Sequence, residues 1–203
     1  MTSFPAQDEL EPPRTRRAIG RLLDRFKRSQ DGATIVEFAL VLTPFLMLMF
    51  AILETALMFW TSQILEEALT QASRRLLTGQ ALTRYKGDGA ANSAAFRNDV
   101  CALAPTGLID CSKLTIDSRA YASFANAKTG TSSSNPVAGG ALNTTGFGYN
   151  AAQAGQVVVV RAVLDYKLFF TQWSTALVNI GGGRRGIIAT AVFRAEPFAA
   201  PAT

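Results

Sequence analysis

The chain has no histidine and only two cysteines, Cys101 and Cys111, among its 203 residues. That removes the histidine of a serine triad, the Cys–His pair of a thiol hydrolase and the three or four N/S ligands of an ordinary zinc site. No catalytic residue, metal ligand or cofactor is expected, and the sequence reads as that of a non-enzyme. Charge is missing over one long stretch as well: from Phe38 to Leu53, FALVLTPFLMLMFAIL, no acidic or basic side chain occurs. Nor does a small-x-small cleavage site follow this run, which exceeds the roughly 7 to 15 apolar residues of a secretory signal core, so a cleaved secretory signal is excluded.

What charge there is lies unevenly. The formal net charge is +5, but Arg14, Arg16, Arg17, Arg21, Arg25, Lys27 and Arg28 all precede the apolar run. A cluster so placed marks the cytoplasmic flank of a membrane helix and not a nucleic-acid surface, so no nucleic-acid partner is expected. Apolar character extends from Ala33 to Trp60, interrupted only by Glu54. That exceeds the roughly 20 residues needed to cross the hydrocarbon of a bilayer. The organisation that follows is a cytoplasmic basic leader over 1–32, a transmembrane helix over 33–60 and an extracytoplasmic α+β domain over 61–203. The expected location is the inner (cytoplasmic) membrane, single-pass, with the C-terminal domain periplasmic. Within the leader, Met1–Pro13 reads as disordered. Arg14–Arg28 reads as a basic amphipathic helix on anionic headgroups, with Ile19, Leu22, Leu23 and Phe26 at helical spacing.

Helical periodicity continues past the apolar run. Leu57, Ile64, Leu65, Ala68, Leu69, Ala72 and Leu76 form one stripe, and Gln63, Glu66, Glu67, Gln71 and Arg74 take the other face until Thr78-Gly79 ends the pattern. A shorter helix is expected over Asn92–Leu103, with Phe96, Val100 and Leu103 on one side. The period then changes to two: KLTIDSRAYASF, QVVVVRAVLDYKLFF and GIIATAVFRAEP together read as three or more strands. They form a small antiparallel sheet onto which the amphipathic half of the long helix packs. Between the first two, Asn126–Gly155 is rich in Gly, Ser, Asn, Thr and Ala with Lys128 its only charge, and reads as a long loop, mobile or ordered by a partner subunit. Gly181–Gly186, GGGRRG, lacks the G-x-x-x-x-G-K-[ST] form of a phosphate loop and reads as a turn between strands. The N-x-[ST] string at Asn143 fits a glycosylation acceptor, whose use depends on the organism. Cys101 and Cys111 close a short turn-rich segment in an oxidising compartment and are expected to form a structural disulfide, stabilising the fold by roughly 3 kcal/mol.

The stretch SQDGATIVEFAL, Ser29–Leu40, sets Gly32 and then Glu37 at the mouth of the apolar run, although a charge at the centre of a membrane helix costs about 3 kcal/mol or more. Basic residues, Gly32, Ala33-Thr34-Ile35-Val36-Glu37-Phe38 and an apolar helix together resemble the class III signal of prepilins. The wider segment DGATIVEFALVLTPFLMLMFAILETALMFW, with Pro44 inside the helix, resembles the TadE-like family, minor pseudopilins of the tight-adherence (Flp, type IVc) pilus system. VFRAEPF at Val192–Phe198 and the cysteine pair are similar to that family too. The resemblance implies a pilin-like α+β fold, cleavage by a prepilin peptidase between Gly32 and Ala33, and a registry pair between the new Ala33 amine of one subunit and the Glu37 carboxylate of its neighbour. It also implies as partners other pilins and pseudopilins, the inner-membrane pilus assembly platform and membrane lipid. The alternative from another class is a membrane-anchored binding or adhesion module that is neither processed nor assembled.

Overall fold

The computed structural model describes residues 30–132 and 135–198. The basic leader expected over Met1–Pro13 and Arg14–Arg28 lies outside them. By compactness the chain falls into two units, Met1–Met49 and Phe50–Thr203.

One helix, α1 (Gln30–Leu77, 48 residues), runs through both. In the first unit its apolar side chains, among them Ile35, Phe38, Val41, Phe45 and Leu48, are exposed. By length and composition α1 is able to span a membrane. Pro44 lies inside it and has no N–H for the carbonyl four residues back. The neighbouring Thr43 hydroxyl donates to the Ala39 carbonyl at 2.7 Å, one residue before the Leu40 carbonyl that Pro44 leaves without its usual donor.

In the second unit the helix becomes two-faced. Glu54, Thr61, Leu65, Ala68, Leu69, Ala72 and Leu76 are buried at spacings of three, four and seven, the period of a single helix face. Leu57, expected on this stripe, is exposed instead, because the buried face runs through Glu54 and Met58. The helix stops where expected: the Thr78 N–H donates to the Arg74 carbonyl at 3.1 Å, and Gly79 has φ +76°, the left-handed conformation that glycine adopts without penalty. A Cβ there would also meet the Phe198 ring at 2.5 Å. The string VFRAEPF has a structural use at this point, since the Glu196 N–H donates to the Leu77 carbonyl at 2.9 Å. The C-terminal segment thereby satisfies an acceptor that the helix end leaves open.

A short turn, α2 (Ala81–Arg84), leads to α3 (Gly89–Leu103), whose first turn is capped by Asp88 accepting from the Ala91 N–H at 2.7 Å. Phe96 and Val100 of α3 are buried as expected, whereas Leu103 is exposed and Asn92 and Asp99 are buried in its stead. Asp99 joins α1 to α3. It accepts from Arg75 at 2.6 Å, from Arg84 through Nε at 2.6 Å and also through Nη2, and from the Tyr85 hydroxyl at 2.5 Å. Burial pushes the Asp99 carboxyl up, but the hydrogen bonds from Arg84, Tyr85 and Arg75 outweigh it and hold it at about 2. Burial, and then Asp99, push the Tyr85 hydroxyl up to about 12.

This network has an acid limit. The folded-state value of Asp99 lies below the unfolded one of about 3.9. Its contribution is therefore complete above about pH 4 and is lost as the pH falls toward about 2. With Arg75 and Arg84 partly exposed, solvent screens the pairs and about 1 to 2 kcal/mol is at stake. Asp99→Asn is expected to lose that stability at neutral pH and to flatten the acid limb. Thermal unfolding at stepped pH measures both, and an unchanged limb would assign acid lability elsewhere.

Cys101, at the end of α3, is disulfide-bonded to Cys111, which opens a 3-10 turn (Cys111–Lys113) before the first strand. The strands β1 (Leu114–Tyr121), β4 (Val157–Lys167) and β5 (Arg184–Arg194) form an antiparallel sheet in the order β1-β4-β5. Asp117 pairs with Arg161 and Val160 with Ala191 in its register. Strand alternation sends Leu114, Ile116, Val158, Val160, Ala162, Leu164, Ile187 and Ala189 into one core with the α1 stripe, Phe96 and Val100. The fold is thus α+β, a long N-terminal helix packed on a small antiparallel sheet, as the sequence predicts.

The expectation for Asn126–Gly155 is corrected. This segment carries structure of its own: α4 (Phe124–Ser132) overlaps its start, and a small hairpin, β2 (Val137–Ala138) with β3 (Ala141–Leu142), turns at Gly139-Gly140, both with positive φ. It is held by this chain's own β1. The Ser118 N–H donates to the Gly148 carbonyl at 2.8 Å, the Asn150 N–H donates to the Ser118 carbonyl at 2.9 Å, and Tyr149 is buried. Ala127 of α4 packs against Val157 and Val159 on the second face of the sheet, which accounts for a central strand that is apolar on both sides. Of GGGRRG, expected as a turn, Gly181–Gly183 are one, and Arg184, Arg185 and Gly186 already belong to β5.

Candidate functional site

Two places on α1 are candidate sites. The first is the signal-like segment. Gly32 and Ala33 lie in α1 close to the first described residue, Gln30, and Glu37 follows, exposed. The four-residue spacing puts Ala33 and Glu37 one turn apart on one face. No ion pair joins Glu37 to another described residue. The Gly32–Ala33 bond is helical in the structure, whereas a protease cleft takes an extended backbone. Cleavage there requires the helix to unwind locally, and glycine, the weakest helix former after proline, lowers the cost.

The second place was not legible as a site. Glu54 directly follows the uncharged run and is fully buried. Its Oε2 accepts from the backbone N–H of Phe169 at 2.9 Å and of Phe170 at 2.6 Å. The other oxygen, Oε1, is buried with no hydrogen-bond partner among the described residues. A carboxylate at the end of an apolar run is costly unless its acceptor capacity is filled. Here main-chain donors from the loop after β4 fill part of it.

That loop, Leu168–Trp173, is built and not merely draped. Leu168 is fully buried, and its N–H donates to the Gly183 carbonyl at 3.2 Å. The Gln172 side chain donates back to the Leu168 carbonyl at 2.8 Å, Thr171 is buried, and the Ser174 N–H donates to the Thr171 carbonyl at 2.9 Å. The Phe170 ring stacks on Phe50 of α1 with centroids 4.9 Å apart and planes 14° from parallel. Phe169 meets Tyr166 edge-on at 6.3 Å. Burial, and then the charge of Glu54, push the Tyr166 hydroxyl up.

The signal that could have found Glu54 is its phase: it continues the buried stripe through Thr61, Leu65 and Ala72 at intervals of seven, four and seven. Its partners have no such signal, since they are main-chain groups more than a hundred residues away.

No curated protein and no solved structure matches the chain. Residues 32–74, all within α1, match the family model described as TadE-like protein, so the resemblance expected from the sequence holds over the segment that carries Gly32, Ala33, Glu37 and Glu54.

Proposed function

We propose that this chain is a minor pseudopilin of a tight-adherence (Flp, type IVc) pilus, inserted in the inner membrane through α1 with its sheet domain in the periplasm, and that it supports filament initiation and assembly. The observation that carries this reading is the coincidence of the TadE-like match, residues 32–74, with a helix whose apolar side chains are exposed and whose first turns hold Gly32, Ala33 and Glu37. A helix of that kind has two partners of suitable chemistry: lipid before assembly and the like helices of other pilins and pseudopilins after it. Prepilin peptidase acts at Gly32–Ala33 in this reading, and the inner-membrane assembly platform receives the product. The role is structural and not catalytic, in keeping with a chain that has no histidine and whose two cysteines are joined to each other.

A second reading, an unprocessed membrane tether for an adhesion module, draws on the helical conformation of the Gly32–Ala33 bond. The mature N-terminus separates the two. Co-expression with a cognate prepilin peptidase is expected to shorten the chain by its first 32 residues and leave Ala33 at the N-terminus, as read by intact mass and N-terminal sequencing. Gly32→Ala is expected to slow the cut. An unchanged mass beside an active peptidase would favour the tether.

A further inference from the structure

The loop that Glu54 holds has an unusual surface. Phe169, Phe170 and Trp173 are 64%, 50% and 73% exposed within six consecutive residues. No charged residue occurs from Leu168 to Gly183, a stretch bounded by Lys167 on one side and Arg184 on the other. On α1, Phe59 and Trp60 are likewise exposed. A patch of large aromatics of this kind on a water-facing surface is unfavourable. At a membrane boundary the same side chains are favoured: the indoles of Trp60 and Trp173 put an N–H at the headgroup level, and the wholly apolar phenylalanine rings sit on the acyl side of it.

We propose that the Leu168–Trp173 loop docks into the headgroup–acyl boundary of the bilayer that α1 spans, so that the sheet domain is held against the membrane at a second point besides its helix. This inference rests on the membrane-spanning reading of α1. The level is set by geometry. At 1.5 Å per residue, the helix from Ala33 to Leu53 rises about 30 Å, the thickness of the hydrocarbon. Counted from Ala33, Phe50 falls within that thickness and inside the apolar run that ends at Trp60, and the Phe170 ring is stacked on it. Glu54 fits the same boundary: its carboxylate is turned away from lipid and engaged by the loop's own N–H groups, which holds the aromatics at that depth. Lys167, exposed at the root of the loop, is placed to reach phosphate, as basic side chains flanking membrane segments do.

The chain has two tryptophans, so Trp60→Phe leaves Trp173 as the only indole. The full-length variant, reconstituted into phosphatidylethanolamine–phosphatidylglycerol vesicles, is read by fluorescence with lipids brominated at a series of acyl depths. Trp173 emission is expected to be blue-shifted and quenched, most strongly by bromines nearest the carbonyls. Water-like emission, unquenched at every depth, overturns the proposal and leaves the aromatic loop as a surface for a protein partner. A second variant, Trp60→Phe, Trp173→Phe, Leu46→Trp, reports on the helix alone. If its indole is quenched by deep bromines while Trp173 is not, the docking fails and the membrane span stands. An unquenched indole at position 46 overturns both.

Discussion

Glu37→Gln is expected to yield protein that is made, inserted and trimmed normally yet does not support pilus formation. Glu37 is exposed and makes no ion pair with a described residue, so the substitution removes nothing from the folded chain. A defect in piliation therefore reports on assembly and not on folding. In the proposed filament, the Ala33 amine created by cleavage meets the Glu37 carboxylate of a neighbouring subunit inside a bundle of apolar helices. Removing one member of a buried pair leaves the other charge desolvated, which costs about 3 to 5 kcal/mol. At about 1.4 kcal/mol per decade, that is two to four decades in the assembly equilibrium. Were Glu37 only a carboxylate reaching for the headgroups, an amide at the same depth would be inexpensive and pili would be normal. Counting pili by electron microscopy in a deletion strain complemented with each form decides between these. Normal piliation with Glu37→Gln would remove the registry role and shift weight to the unprocessed tether.

Most of this fold was legible because its largest elements are patterned one at a time. The uncharged run, apolar on all faces, and the stripe from Leu65 to Leu76 define α1, and alternation through Leu114, Ile116 and Ser118 defines β1; in the stripe and in β1 one face meets a single core. What failed to show was whatever depends on two distant segments meeting. Asn126–Gly155 has no period because its order comes from isolated contacts, such as Ser118 with Gly148 and Asn150 and Ala127 with Val157, and not from one repeated face. Leu57 and Leu103 were placed inside by hydrophobicity, yet the helix faces that dock carry Glu54 and Asp99 at those levels. Polar side chains won those positions because each has specific donors waiting: two main-chain N–H groups for Glu54, two arginines and a tyrosine for Asp99. Of the candidate site residues, Gly32, Ala33 and Glu37 are legible as a local motif. Glu54 is not, because a carboxylate in an apolar stripe reads as an interruption until its donors are seen.

Those donors make Glu54→Ala the substitution with the largest expected effect on the folded chain. The carboxylate accepts from two N–H groups, and hydrogen bonds to a charged group contribute about 1.5 to 3 kcal/mol each. Against this stands the desolvation of the carboxylate itself, one oxygen of which is buried without a partner, so that removing it relieves part of the loss. The balance is unfavourable, by about 3 kcal/mol, because the two N–H groups stay fixed in the loop and the alanine leaves a void beside them. The loss is local. Amide exchange of Phe169 and Phe170 is expected to accelerate by about two decades, whereas the amides of β1 and β4 keep their protection. Glu54→Gln separates the acceptor from the charge: its carbonyl is able to take the place of Oε2 and receive both bonds, so the two amides keep most of their protection. Equal exchange in the wild type and Glu54→Ala would show that the stacking of Phe170 on Phe50 and the burial of Leu168 hold the loop unaided. Fast exchange in both variants would show that the negative charge, and not the oxygen's position, is what the loop requires.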